Sequence, residues 1–187
     1  RVTAFAAAGS DARMAGCKMP VIINSGSGNQ GITVSVPLIM YAREKGIANE
    51  LLYRGLLLSN LLAIYQRHGI GCLSAYCGAV NAGISAICGI ELMEGYSFDI
   101  ISHTLEVGLA TASGMICDGA KSSCASKIAI ALKAGWLGRD MALRNKWFGD
   151  GEGIVKADVD STISAVARLG NHGMRSVDKE IIGIMLS

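Results

Sequence analysis

Two cysteines seven residues apart, Cys117 and Cys124, lie either side of an Asp118-Gly119 break in the stretch Gly114-Met-Ile-Cys-Asp-Gly-Ala-Lys-Ser-Ser-Cys124. Thiols so placed can hold a thiolate-loving metal or cluster, or act as a redox pair. Inside one continuous α-helix they would share a face yet stand about 10.5 Å apart along its axis, too far for one compact centre. The spacing therefore predicts a helix that begins near Gly119 with Asp118 as its cap. Cys117 is then left outside to fold back towards Cys124. The positive end of that helix would face both sulfurs and favour their charged form.

A second stretch with chemical potential is Ser25-Gly26-Ser27-Gly28-Asn29-Gln30-Gly31, ahead of an apolar helical run. Successive backbone N–H groups at a helix start attract a carboxylate or phosphate, and Ser25, Ser27, Asn29 and Gln30 add side-chain donors. A tight turn without a ligand is the alternative reading of the same residues. Gly26, Gly28 and Gly31 also fit the G-x-G-x-x-G dinucleotide pattern, with Glu50 at a suitable distance for a ribose contact. That unit needs a second parallel strand before the acid, and residues 38–52 read as helix–turn–helix, so it is set aside.

The remaining candidates have plainer readings. Cys17, Cys72 and Cys88 read as packing thiols, as does Cys77 when taken alone within Ala75-Tyr-Cys-Gly-Ala79. No C-x-x-C pair supports structural zinc. His68, His103 and His172 lack metal-ligand spacing, and Asp150 and Glu152 lack the calcium-loop pattern. Lys121 and Lys127 read as members of a solvated face ahead of Schiff-base lysines.

The elements that must position these groups are helices, and the fold class expected is all-α. Residues 4–17 suggest a helix ending near Gly16, and Pro20–Asn24 a short extended run. Ile32–Lys45 reads as a helix closed by Gly46, with Pro37 inside it. Glu50–Tyr65 is leucine-rich nearly all round, which predicts a place in the middle of a bundle. Gly69–Ile90 carries no charge across 22 positions. Its Gly, Ala and Ser content, Asn81 and missing aromatic belt favour a buried central helix over a membrane span. Ser97 is expected to cap a helix with Phe98, Ile101, Leu105, Leu109 and Ala112 on one face. Ile128–Ala134 ending at Gly135, a short polar helix over Arg139–Lys146 and a turn-rich loop at Phe148–Gly153 follow. Val159, Ile163 and Val166 mark a helix stopped by Gly170. The last helix, Ser176–Met185, has Val177, Ile181 and Met185 on one face.

Composition bounds the rest. The chain has 187 residues, half of them hydrophobic (51%), with 24 glycines, two prolines and only 5% aromatics. That mixture suits closely packed helices in one domain. A net charge of +2 without long basic runs gives no support to nucleic-acid binding. Six cysteines are too few for a disulfide scaffold, and no signal peptide opens the sequence, so a reducing cytoplasm is expected. A start at Arg1 rather than Met suggests a fragment of a longer protein.

Ser25–Ile32, Tyr76–Ala79, the Cys117–Cys124 stretch with its flanks, and the tail around Arg168-Leu-Gly and Gly173-Met174 together resemble the L-cysteine desulfidase family. That family is related to the iron–sulfur L-serine dehydratase alpha chains. The resemblance runs over essentially the whole chain. It implies a helical catalytic domain in which three cysteines, matching Cys77, Cys117 and Cys124, hold a [4Fe–4S] cluster. Three thiolates leave the fourth iron open as a Lewis acid. The substrate carboxylate would sit on the Gly26–Gly31 loop, through Ser25, Gly26, Ser27, Gly28, Asn29 and Gln30. L-Cysteine would yield pyruvate, ammonia and sulfide by β-elimination and hydrolysis, and L-serine the same products with water lost in place of sulfide. Family members are longer, so a missing N-terminal part is expected as a partner, with a homodimer as a further possibility. The chain ends Ile-Met-Leu-Ser187, without the terminal cysteine that some serine dehydratases carry, so neither a fourth ligand nor a general base is assigned. The rival reading is a non-catalytic helical module that binds a small anion.

Overall fold

The computed structural model describes residues 1–71 and 73–187; Cys72, read above as a packing thiol, lies outside the described residues. It is all-α: α1 (Val2–Met14), α2 (Gly28–Lys45), α3 (Asn49–Ile70), α4 (Gly78–Glu94), α5 (Phe98–Ala112), α6 (Cys124–Ala142), α7 (Val159–Arg168) and α8 (Arg175–Leu186). A single π-helical turn, Leu169–Gly173, joins the last two. Among the described residues β-pairing is limited to the isolated bridges Asn24–Ser27 and Tyr76–Ile116. Pro20–Asn24 accordingly forms no strand, and the dinucleotide-binding unit has no sheet to rest on.

The uncharged stretch supplies the hub. α4 packs against α2, α3, α5 and α6. Its Val80, Ile84 and Cys88 join one apolar cluster with Leu105, Leu109, Ile163 and Val166. Ile87 and Ile90 join a second with Val2, Leu38, Ile128 and Leu132. Each fully buried isoleucine of this kind stabilises the fold by about 2 kcal/mol. No described helix is long and apolar enough to cross a membrane.

Small residues set the approach distances. At Gly89 of α4 a Cβ would meet the Gly55 carbonyl oxygen of α3 at 2.7 Å, so these two backbones touch. That contact corrects the placing of the leucine-rich helix in the middle. α3 turns Gly55, Ser59, Ala63 and Gln66 inward. Leu57, Leu61, Ile64 and Tyr65 are exposed. Ser59 donates to the Val34 carbonyl at 2.9 Å and Gln66 to Ser85 at 2.8 Å, so polar contacts hold this interface.

Several boundaries move. α2 begins at Gly28, four residues earlier than expected, and closes on left-handed Gly46 as anticipated. Gly135 does not end a helix and Arg139 does not start one, because α6 runs through both. Gly135 is there for contact: a Cβ would lie 2.6 Å from Ile87. Gly170 likewise is no stop but a buried member of the π-helical turn, packed on Ile70 and Tyr76. Ser97 caps α5, accepting from the Ile100 N–H, although Phe98 stands exposed. α8 rests on the core through Val177 and Ile181, while Met185 is exposed. Cys88 is buried as expected, but Cys17 is exposed in the segment after α1 and is no core thiol.

Candidate functional site

A cavity of about 320 Å³ opens where the N-termini of α2, α4 and α6 converge. On one side stand Ser25, Gly26, Ser27, Asn29 and Gln30, with Gly28 opening α2 behind them. On the other stand Cys77, Cys117 and Cys124 with Arg67 and Lys127. The two stretches singled out in the sequence therefore line one cavity.

The wall formed by Ser25–Gln30 opens with a tight turn. Asn24 and Ser27 exchange backbone hydrogen bonds at 3.2 and 3.0 Å. Ser25 and Gly26 between them have φ of 50° and 82°, as in a type I′ turn. The Asn24 carboxamide donates to Asn60 Oδ1 on α3 at 3.0 Å, and Arg13 donates to Asn29 Oδ1 at 3.0 Å, so the turn is fixed from two sides. Because α2 starts at Gly28, Asn29 and Gln30 belong to its first turn, and the early N–H groups lack carbonyl partners within the helix.

The thiol side is assembled by the Tyr76–Ile116 bridge. Cys77 N–H donates to the Met115 carbonyl at 3.0 Å and Cys117 N–H to the Ala75 carbonyl at 2.6 Å. Cys77 immediately precedes α4, and Cys124 is the first residue of α6. The expected cap is corrected here. Asp118 does not start a helix at Gly119; its carboxylate pairs with Lys127 of α6, and the Lys121 N–H approaches Cys124 Sγ at 3.5 Å. The break in the helix is real, but it extends to Ser123, and Gly119 takes a φ of 90° within it.

Electrostatics favour negative charge in the cavity. No Asp or Glu is among its described lining residues, whereas Arg67 and Lys127 are. Three helix N-termini add their partial positive charge. The Cys77 thiol, hydrogen-bonded to Cys117, holds the Cys117 pKa below the ordinary thiol value against the effect of burial, helped by the Gly119 N–H, Lys127 and Arg67. Cys77, holding that shared proton and buried, is pushed up. Burial alone would lower the Lys127 pKa, but the Asp118 carboxylate more than offsets it and holds the ammonium charged. In the protein free of bound metal, iodoacetamide should alkylate Cys117 ahead of Cys77, with an inflection below that of an ordinary thiol. Cys77→Ala removes the donor and should move that inflection upward, as peptide mapping by mass spectrometry would read. An inflection unmoved by the substitution would contradict the shared proton.

The residues suit an iron–sulfur cube. Among the described residues no three His, Cys, Asp or Glu side chains converge on a single-ion site. Three cysteines line one positive cavity with no carboxylate among its described lining residues, a donor set that the irons of such a cube can use.

Lys127 and Arg67 are the residues that reading the sequence missed. Lys127 is no solvated lysine: its side chain is 19% exposed and lines the cavity. Its position three residues after Cys124, on the same helical face, was the available signal. Arg67 gave none, since only the chain reversal after α3 brings its guanidinium to the Tyr76 carbonyl, at 3.2 Å.

Residues 2–183 match the family described as serine dehydratase alpha chain. A UPF0597 protein of Desulfitobacterium hafniense is 51% identical over 187 residues, covering 100% of this chain and 44% of its own length. UPF0597 proteins of Treponema denticola and Finegoldia magna are 50% and 48% identical, over 96% and 100% of this chain and 42% and 45% of their own lengths. The chain thus spans less than half the length of these curated relatives. With the match running from Val2 almost to the C-terminal residue, the chain belongs to the serine dehydratase alpha-chain family.

Proposed function

We propose that the full-length protein is an iron–sulfur-dependent amino-acid lyase. It converts L-cysteine and water to pyruvate, ammonia and hydrogen sulfide, and works in a reducing cytoplasm. Family membership supports a lyase-type function. The observation that carries the finer reading is that Cys77, Cys117 and Cys124 share one cavity with the Ser25–Gln30 turn.

In this reading the three thiolates hold a [4Fe–4S] cluster, which when bound supplies a Lewis-acidic iron for the leaving group. The chain's own groups do the rest. The N–H groups of Gly28 and Asn29 bind the substrate carboxylate, and the Ser25 and Ser27 hydroxyls orient it. The helices that begin beside Cys77 and Cys124 turn their partial positive ends towards the site where the thiolates would hold the cluster. Lys127 is held as a charged ammonium beside a carboxylate, and no Asp or Glu is among the described lining residues. The acceptor of the Cα proton is therefore assigned to the portion of the full-length protein outside this chain.

Anaerobic reconstitution of the full-length protein with iron and sulfide should produce the broad visible absorption of a cluster, together with pyruvate and sulfide from L-cysteine. Cys117→Ser and Cys124→Ser should each abolish both. A colourless, folded and inactive protein after reconstitution would sink the proposal. The family description gives L-serine a standing as the alternative substrate. The ratio of kcat/KM for the two amino acids decides between them.

A further inference from the structure

We infer that Lys127 is the second carboxylate receptor of the cavity and that Asp118 is an internal carboxylate occupying it until a ligand arrives. The Lys127 side chain lines the cavity and is mostly covered, while its Asp118 partner is 43% exposed. Asp118 itself is not among the lining residues. Lys127 thus belongs to the cavity wall while the carboxylate that now holds it is partly exposed and does not. The Ser25–Ser27 turn and the first turn of α2, through Asn29 and Gln30, line the same cavity.

A partly exposed ion pair is weak, because water and salt screen it and two side chains must be held in register. An incoming carboxylate gains more on the same ammonium, since it also meets a helix N-terminus in a partly dry pocket. The exchange conserves charge: one carboxylate leaves Lys127 for solvent and another takes its place. Asp118 also tethers the Gly119–Ser123 loop to α6 through this pair, so exchange frees that loop as the cavity fills. The chemical class bound is a small carboxylate. Its identity as an α-amino acid rests on the function proposed above.

Two substitutions separate this role from a structural clasp. A clasp is broken equally by losing either partner, so Lys127→Met and Asp118→Asn would act in the same direction. Competition predicts opposite directions. L-Alanine, which lacks a leaving group, is the probe, and its Kd on the full-length protein is read by calorimetry. Asp118→Asn should tighten it by about threefold, the gain expected from losing a weak competing pair. Lys127→Met should weaken it by about tenfold or more, as for a lost charge-assisted hydrogen bond, and Lys127→Arg should retain it. Shifts in the same direction, no shift in either variant, or no binding by the wild type would each overturn the inference. Should Lys127→Met fold poorly, Asp118→Asn decides alone, since unchanged or weaker binding there contradicts competition. L-Cysteine turnover measured alongside keeps the two proposals apart. Turnover with unmoved alanine affinities sinks only this inference, whereas opposite shifts in a protein that forms no pyruvate sink only the lyase reading.

Discussion

Gly31→Ala should destabilise the protein by more than about 3 kcal/mol, although it replaces a glycine with the best helix former. Gly31 sits in the first turn of α2, where the chain of residues 20–24 crosses directly over it. A Cβ there would overlap the Ile22 carbonyl oxygen outright and lie 2.9 Å from its carbon. The obstacle is backbone, so no rotamer change relieves it. Either α2 moves away or the crossing segment lifts, and that segment leads straight into the Asn24–Ser27 turn that walls the cavity. Urea unfolding reads the loss. Gly183→Ala in α8, where a Cβ meets nothing within 4 Å, is the control. It should gain up to about 1 kcal/mol from helix propensity. Equal stabilities for Gly31→Ala and the wild type would show that the crossing segment is not held as described.

The contrast between these two glycines shows what a sequence can and cannot convey. Gly26, Gly28 and Gly31 are all visible in the pattern, and the pattern rightly marks a helix start. It does not say which of them faces another backbone, because that depends on a crossing made by the preceding five residues. The same limit explains α3. Its hydropathy is high all round, and the inward face is chosen by Gly55, Ser59 and Ala63, whose smallness lets α4 approach. Leucine content alone pointed the wrong way. For the cavity, local signals identified the Cys117–Cys124 pair and the Ser25–Gln30 turn, since each is a short stretch with its own chemistry. Cys77 drew attention only through family resemblance, and its meeting with Cys117 depends on a bridge between segments 40 residues apart. Lys127 looked like any surface lysine until the start of α6 was fixed at Cys124.

Glu91→Gln tests the centre of the fold through pH. Glu91 lies on α4 with no exposed surface. One carboxyl oxygen accepts from Thr104 at 2.7 Å, and the other has no hydrogen-bond partner. Burial raises its pKa from 4.5 to about 7, with Thr104 and Arg139 opposing and Glu94 adding to the rise. A carboxyl whose folded pKa lies above its unfolded one stabilises the fold fully below about pH 4.5. That contribution is lost as the pH climbs to 7 and stays lost above it. The loss amounts to about 3 kcal/mol for such a shift. Glutamine cannot ionise, so the variant escapes this loss whatever constant penalty its unpartnered amide brings. The stability of Glu91→Gln relative to the wild type should therefore rise by about 3 kcal/mol between pH 4.5 and 8, most steeply between 4.5 and 7. Because every other titrating group is common to both proteins, the difference between their urea-derived stabilities isolates this one carboxyl. Two parallel curves would mean that Glu91 ionises as readily in the fold as outside it, and that the α4–α5 interface admits water.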